Sequence, residues 1–145
     1  MNQAEHAISM FKAGFLCSQA LLSTYGVQFG LSRETALKVS AAFGGGISRM
    51  GETCGAVTGA LMVIGLKHGS SEAEDKAARE RTYRAAREFA RRFSARHGSL
   101  RCKDLLGCNL NVPEEYARAK EQKLFETACP QYVQDAAEIL EEMLD

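Results

Sequence analysis

The sequence predicts an all-α protein, a single-domain multi-helix bundle built around an apolar central helix. Three observations carry this expectation. Apolar residues recur every three or four positions through nearly the whole chain, which is the period of a helix face. Sustained alternation of apolar and polar residues, the mark of a half-buried strand, is missing. The chain has 145 residues, two of them proline, and 46% apolar content, enough for one core and too little to make two domains.

The first helix is predicted over Gln3–Ala13, with Ala4, Ile8 and Phe11 on one face and Gly14 ending it. A second runs from Cys17 to Tyr25 and stops near Gly26. Ser32 reads as the N-cap of a third, Arg33–Phe43, broken by Gly44, Gly45 and Gly46. The fourth, Cys54–Lys67, is apolar almost all round, and in a water-soluble bundle such a helix belongs at the centre. His68 and Gly69 supply a last-turn charge and a terminal glycine.

Ser71 and Glu74 have capping-box spacing and are expected to open a long helix reaching His97, closed by Gly98. Its apolar face reads Ala78, Thr82, Ala85, Phe89 and Phe93, while Glu80–Arg84 and Glu88–Arg92 are spaced for i,i+4 pairing. Ser99 is expected to cap a short helix with Cys102, Leu105 and Leu106. Pro113 opens another to Phe125, and Pro130 repeats that device for a last helix to Leu144 that buries Val133, Ala136, Ala137 and Leu140.

Lysine plus arginine and aspartate plus glutamate each number 18, so the formal net charge is zero and no global attraction to nucleic acid or to an anionic membrane is expected. The arginines of the long helix read as a solvated surface. Met1–Lys12 lacks the basic start and apolar run of a signal peptide. The apolar run Thr53–Leu66 is shorter than the roughly 20 residues of a membrane span. The expectation is a cytoplasmic, soluble protein. Its apolar helices would allow a homodimer, and no redox partner is legible.

Five cysteines would suit a disulfide scaffold in a secreted chain, but the odd count and the absence of a signal-peptide pattern weaken that reading. Four of them, Cys17, Cys54, Cys102 and Cys129, fall at predicted helix N-termini, where free N–H groups and the positive dipole end favour a thiolate. A lone cysteine on an apolar face is more often packing. For Cys54 the flanking Gly51, Gly55 and Gly59 strip away side chains and admit close approach, which makes it the preferred nucleophile. Cys108 lacks a helix-start setting and reads as a spectator. No two cysteines form CxxC, so any site must be assembled by the fold. Four helix starts meeting at one end of a bundle would give either two dithiol pairs or a four-cysteine metal or iron–sulfur site.

Other motifs are weaker. Gly44–Gly51 looks like a phosphate cradle but follows a helix and lacks the Gly-Lys-Ser/Thr ending of a P-loop; Arg49 and the local amides offer at most an anion contact. Gly55 and Gly59 form a GxxxG close-packing pair. His6, His68 and His97 have no ligand spacing, and helix capping accounts for the last two.

Cys17, the run Phe43-Gly44-Gly45-Gly46 leading into Cys54-Gly55-Ala56-Val57-Thr58-Gly59, Cys102 before Leu105-Leu106-Gly107, and Cys129-Pro130 together resemble the redox-active protein family named for its C, GCAxxG, C, C pattern. The resemblance spans nearly the whole chain. It differs in having Thr53 where the family pattern has glycine before the cysteine, and Cys108 is additional. The resemblance implies a small helical domain with four characteristic cysteines, matched by Cys17, Cys54, Cys102 and Cys129. The family's redox role is itself inferred from those cysteines. A similar domain is associated with an iron–sulfur centre in split-Soret-type cytochromes; the CxxCH of heme attachment does not occur here.

Three functions compete. In the first, the four thiols form a thiol/disulfide or electron-transfer centre of an oxidoreductase, with Cys54 attacking and Cys129 resolving. In the second, the same four cysteines bind zinc or a [2Fe-2S] cluster in a sensor or electron carrier. In the third, the protein is a non-catalytic helical interaction module whose cysteines only pack.

Overall fold

The computed structural model describes residues 1–144; Asp145, the last residue of the span 1–145 read as one domain, lies outside the described residues. The fold is all-α. α1 (Gln3–Lys12) begins with a reciprocal cap in which Asn2 Oδ1 accepts from the Glu5 amide at 2.8 Å and Glu5 accepts from the Asn2 amide at 3.2 Å. Ala7 and Met10 are buried, with Ala4, Ile8 and Phe11 packed beside them. α2 (Cys17–Gly26) and α3 (Arg33–Val39) follow, and Ser32 caps α3 as expected, accepting from the Thr35 amide at 3.1 Å.

α3 is shorter than the Arg33–Phe43 helix expected from sequence. The buried Ser40 hydroxyl donates back to the Ala36 carbonyl at 2.7 Å, and a 3-10 turn over Ala41–Phe43 replaces the last helical turn. Such back-bonding competes with the helical ladder. α4 (Gly44–Ile47) is a single tight turn in which Gly45, Gly46, Ile47, Ser48 and Arg49 all have positive φ. For the three residues with side chains that conformation costs roughly 1–2 kcal/mol apiece, so the surrounding packing must impose it.

α5 (Gly55–His68) is the expected central helix, buried at Gly55, Ala56, Val57, Gly59, Ala60, Val63 and Ile64 and packed against α2, α6 and α10. Cys54 is its N-cap and not its first residue. α2 is as deeply placed: every residue from Ala20 to Gly26 is buried. Its sequence hides this because it carries Ser, Gln, Thr and Tyr. Most of those groups are used internally, Ser18 donating to the Ser40 carbonyl at 2.9 Å, Gln19 to the Leu37 carbonyl at 3.0 Å and Tyr25 to Glu141 at 2.7 Å.

α6 (Lys76–His97) starts later than the capping box suggested. Asp75 is the N-cap, its carboxylate accepting from the Ala78 amide at 2.9 Å, and Ser71 and Glu74 lie in the preceding turns. A charged acceptor at the positive helix end outcompetes the earlier signal. Gly98, at φ +82°, ends the helix as expected. Of the two i,i+4 pairs, Glu88–Arg92 forms at 2.7 Å and Glu80–Arg84 does not. Glu88 also takes Arg91, and these two cations hold its carboxyl pKa down at about 2.

α7 (Cys102–Leu106) is capped by Arg101; Ser99 instead braces the turn, accepting from the Arg101 amide and donating to Asp104. The single helix expected over Pro113–Phe125 is two, α8 (Pro113–Glu121) and α9 (Leu124–Thr127), separated at Lys123, where φ is +58°. α10 (Cys129–Leu144) then returns across α1, α5 and α6, burying Val133, Ala136, Ala137 and Leu140 as anticipated. Among the described residues no helix is long and apolar enough to cross a membrane.

α2 and α5 meet at backbone distance. A β-carbon on Gly59 would lie 2.8 Å from the Ser18 carbonyl oxygen and 3.0 Å from Ser18 Cα, both main-chain atoms of α2. Neither can move without shifting the helix. Gly59→Ala is therefore expected to lower folding stability by about 1–3 kcal/mol, the usual cost of overpacking a core. Equilibrium urea unfolding measures it, and an unchanged midpoint would show that the helices do not need this contact.

Candidate functional site

The cysteines reach one another through four elements. Close approach of α2 and α5 sets Cys17, the first residue of α2, beside the N-terminus of α5; a β-carbon on Gly55 would stand 3.3 Å from Cys17 Cβ. Cys54 and Cys102 are joined by a short antiparallel bridge at Thr53 and Arg101. Across it the Cys54 amide donates to the Leu100 carbonyl at 2.8 Å and the Cys102 amide to the Glu52 carbonyl at 2.7 Å. Cys129 enters from the start of α10.

The left-handed turn of α4 seats this bridge. The Glu52 amide donates to the Gly46 carbonyl at 2.9 Å, and Gly46 lies so near α7 that a β-carbon there would fall 2.5 Å from Cys102 Cβ and 2.8 Å from the Glu52 carbonyl oxygen. At φ +70° and with no room for a side chain, glycine meets both demands. The loop that resembles a phosphate cradle is thus the packing surface for Cys102.

Cys17, Cys54, Cys102 and Cys129 all line one cavity of about 840 Å³, a size found in small-molecule sites. Cys54, Cys102 and Cys129 are buried, and Cys17 is half-buried in the wall. Cys108 does not line this cavity; it sits in a satellite core with Leu110 and Ala119. Cys102 belongs to that same satellite core, so Cys108 packs beside one of the four.

Cys17, Cys54 and Cys102 are not poised as the helix-start argument suggested. Interaction with Cys129 raises the Cys17 thiol well above the ordinary range, an interaction with Cys54 partly offsets this, and burial raises it further. Cys54 is raised by its interaction with Cys17 and then by burial, against a smaller opposing pull from the Ala56 and Val57 amides at the start of α5. Burial and the neighbouring Cys54 and Cys108 push Cys102 up to about 12. The helix N-terminus acts in the expected direction at Cys54 and loses to desolvation and to the other thiols.

The Cys17 thiol feels both Cys54 and Cys129, and Cys102 feels Cys54 and Cys108; the closest approach the backbone fixes is that of Cys17 to the start of α5. The described residues contain no group of three or more His, Cys, Asp or Glu side chains disposed to hold a metal ion. The four sulfurs have the donor chemistry of a zinc site.

Sequence reasoning missed a second layer. Tyr132 lines the cavity, donates to the Leu105 carbonyl at 2.8 Å and is raised in pKa by burial and by Cys129, Cys54 and Cys102. Its ring meets His97 edge-on at 4.9 Å, and His97 Nε2 lies 2.7 Å from Asp135 Oδ2. His97 is accordingly more than a helix cap. The available signal was spacing: Tyr132 follows Cys129 by three residues and Asp135 follows Tyr132 by three, one face of α10. Arg49 lies over the Tyr116 ring at 4.4 Å, and both residues line the cavity.

Residues 15–143 match the family described as putative redox-active protein (C_GCAxxG_C_C). The chain belongs to this family. The match takes in all four cavity cysteines and nearly all of the helices. Neither the curated proteins nor the solved structures give a significant match.

Raised thiol pKa values make stability depend on pH. The unfolded chain loses thiol protons from about pH 8.5, while the folded chain keeps that of Cys102 to about 12. The unfolded state therefore gains as pH rises, and folding stability is expected to fall between about pH 8 and about pH 9.5 under reducing conditions. Urea unfolding across that range measures the slope, and Cys102→Ala is expected to flatten it. A slope unaffected by the substitution would mean that Cys102 ionises as readily in the folded protein as in the unfolded chain.

Proposed function

We propose that this redox-active protein works as a buried dithiol/disulfide centre in which Cys17 is the shared partner, forming its disulfide with Cys54 or with Cys129. The observation that carries the reading is that all four cysteines line one cavity while the close crossing of α2 and α5 brings Cys17 to the residue that follows Cys54. Closing Cys17 and Cys54 breaks two S–H bonds, makes one S–S bond and releases two electrons and two protons to an oxidant. Cys54 remains the preferred attacking sulfur, because the Ala56 and Val57 amides act to stabilise its thiolate. Cys102, across the bridge from Cys54, is a second reservoir for exchange.

At Cys17, Cys54 and Cys102 burial and neighbouring thiols favour the protonated form, in which a dithiol stores its electrons. Burial also keeps the pair from adventitious oxidation, since exposure and thiolate character set that rate. A purely structural role for the cysteines leaves unexplained why all four face an open cavity.

Treating the reduced protein with diamide, an azo compound that takes two electrons and two protons, tests the reading. Mass spectrometry is expected to show the loss of two thiols and a peptide linking Cys17 to Cys54 or to Cys129, and Cys17→Ser is expected to abolish both links. Unchanged thiol content, or a link that omits Cys17 in the wild-type chain, would overturn it.

A further inference from the structure

Five of the chain's eleven aromatic side chains, Phe11, Phe15, Tyr116, Phe125 and Tyr132, border the same cavity as the four sulfurs. They come from α1, the α1–α2 turn, α8, α9 and α10, so five separate segments each present a ring to one space. Aliphatic residues such as Leu105 and Leu110 fill the remaining wall. Such a lining favours a flat, largely apolar ring system, through burial and through face or edge contacts between rings.

The charged groups on the wall are few. Lys12 and Arg49 are cationic and Glu126 is anionic, a net of one positive charge that favours an occupant bearing electron-rich oxygen. Arg49 reaches its place because the left-handed turn at Gly45–Arg49 turns the chain, and its guanidinium lies over the Tyr116 ring. A cation beside a carbonyl oxygen stabilises the negative charge that develops there on reduction.

A protein partner with a surface disulfide would have to bring that bond to sulfurs of which three are buried. A small molecule need only enter. Glutathione disulfide and similar exchange reagents are multiply charged, and an apolar wall would desolvate those charges with few groups to receive them.

We infer that the cavity binds a quinone and that the dithiol, as proposed above, exchanges its electrons with that quinone. The inference rests on the dithiol reading and names its electron acceptor. In the forward direction the two S–H bonds of Cys17 and Cys54 break and the S–S bond forms. The two electrons and two protons pass to the quinone, whose two C=O groups become C–OH. Every atom is accounted for by the dithiol and the quinone. Arg49 and Lys12 supply N–H donors for the quinone oxygens, and the aromatic wall holds the ring. The reverse reaction returns the disulfide to the dithiol as a quinol is oxidised.

The experiment uses the full chain, reduced and anaerobic, with duroquinone as the probe, since its fully substituted ring cannot be permanently arylated by a thiol. Duroquinol is expected to form in equal amount to protein, with the loss of two thiols and a linking peptide that contains Cys17. Cys54→Ser is expected to form none of the Cys17–Cys54 linking peptide, and Cys108→Ala is expected to react like the wild type. At equal concentration duroquinone is expected to outpace glutathione disulfide by about tenfold or more, the discrimination an apolar pocket can provide.

Oxidation by diamide with no duroquinol formed, or faster oxidation by glutathione disulfide than by duroquinone, would overturn the quinone inference and leave the dithiol centre standing. Failure of diamide, duroquinone and glutathione disulfide alike to form a disulfide through Cys17 would overturn both.

Discussion

The placement of Cys17 at the site depends on how closely α2 and α5 approach. Two helices with ordinary side chains at the crossing stand roughly 8–10 Å apart; here Gly55 and Gly59 present bare backbone to Cys17 and Ser18. The contact sinks α2 into the core, and with it the polar side chains of Ser18 and Gln19, which donate to the Ser40 and Leu37 carbonyls at the end of α3. It also puts the first residue of α2 against the start of α5. The Cys17–Cys54 relationship is therefore a by-product of core packing, with the reactive groups placed by residues that have no side chain.

A second constraint acts independently of the first. The left-handed turn after the 3-10 segment costs conformational energy at Ile47, Ser48 and Arg49, yet it lets the chain double back in a few residues. The Glu52 amide can then close onto Gly46, and residues 51–54 can pair with residues 100–103. Cys54 thus sits at the junction of two constraints, one from the helix crossing and one from the bridge. Fixing a residue from two directions limits its motion relative to its neighbours.

The same packing decides the state of the thiols. A helix N-terminus offers amides that stabilise a thiolate, and at Cys54 two of them do so. Burial works against the charged form, and most of the neighbouring thiols add to the difficulty of ionising one another. Local structure points one way and the assembled environment the other, and the environment prevails. The aromatic residues around the cavity belong to the same environment. None of them stands out in the sequence, because each is spaced like an ordinary core residue on its own helix.

By itself the sequence determined the helices, most of their ends, the central place of the apolar Gly55–His68 segment and the four cysteines that belong together. Those features are local or compositional: periodicity, capping residues, glycine position and a pattern carried by a few residues. Boundaries went wrong where a competing partner intervened, as at Ser40 and Asp75, and where the chain takes a left-handed turn at Lys123. Only the tertiary structure decided that Cys17 packs against the start of α5, that α2 is buried despite its polar residues, and that Tyr132, on the cavity wall, packs on His97 and through it on Asp135. It likewise decided that burial and neighbouring thiols push the Cys17, Cys54 and Cys102 pKa values up. The physical reason is common to all of these: desolvation and contact between segments far apart in the chain depend on which helices touch, and no local pattern records that.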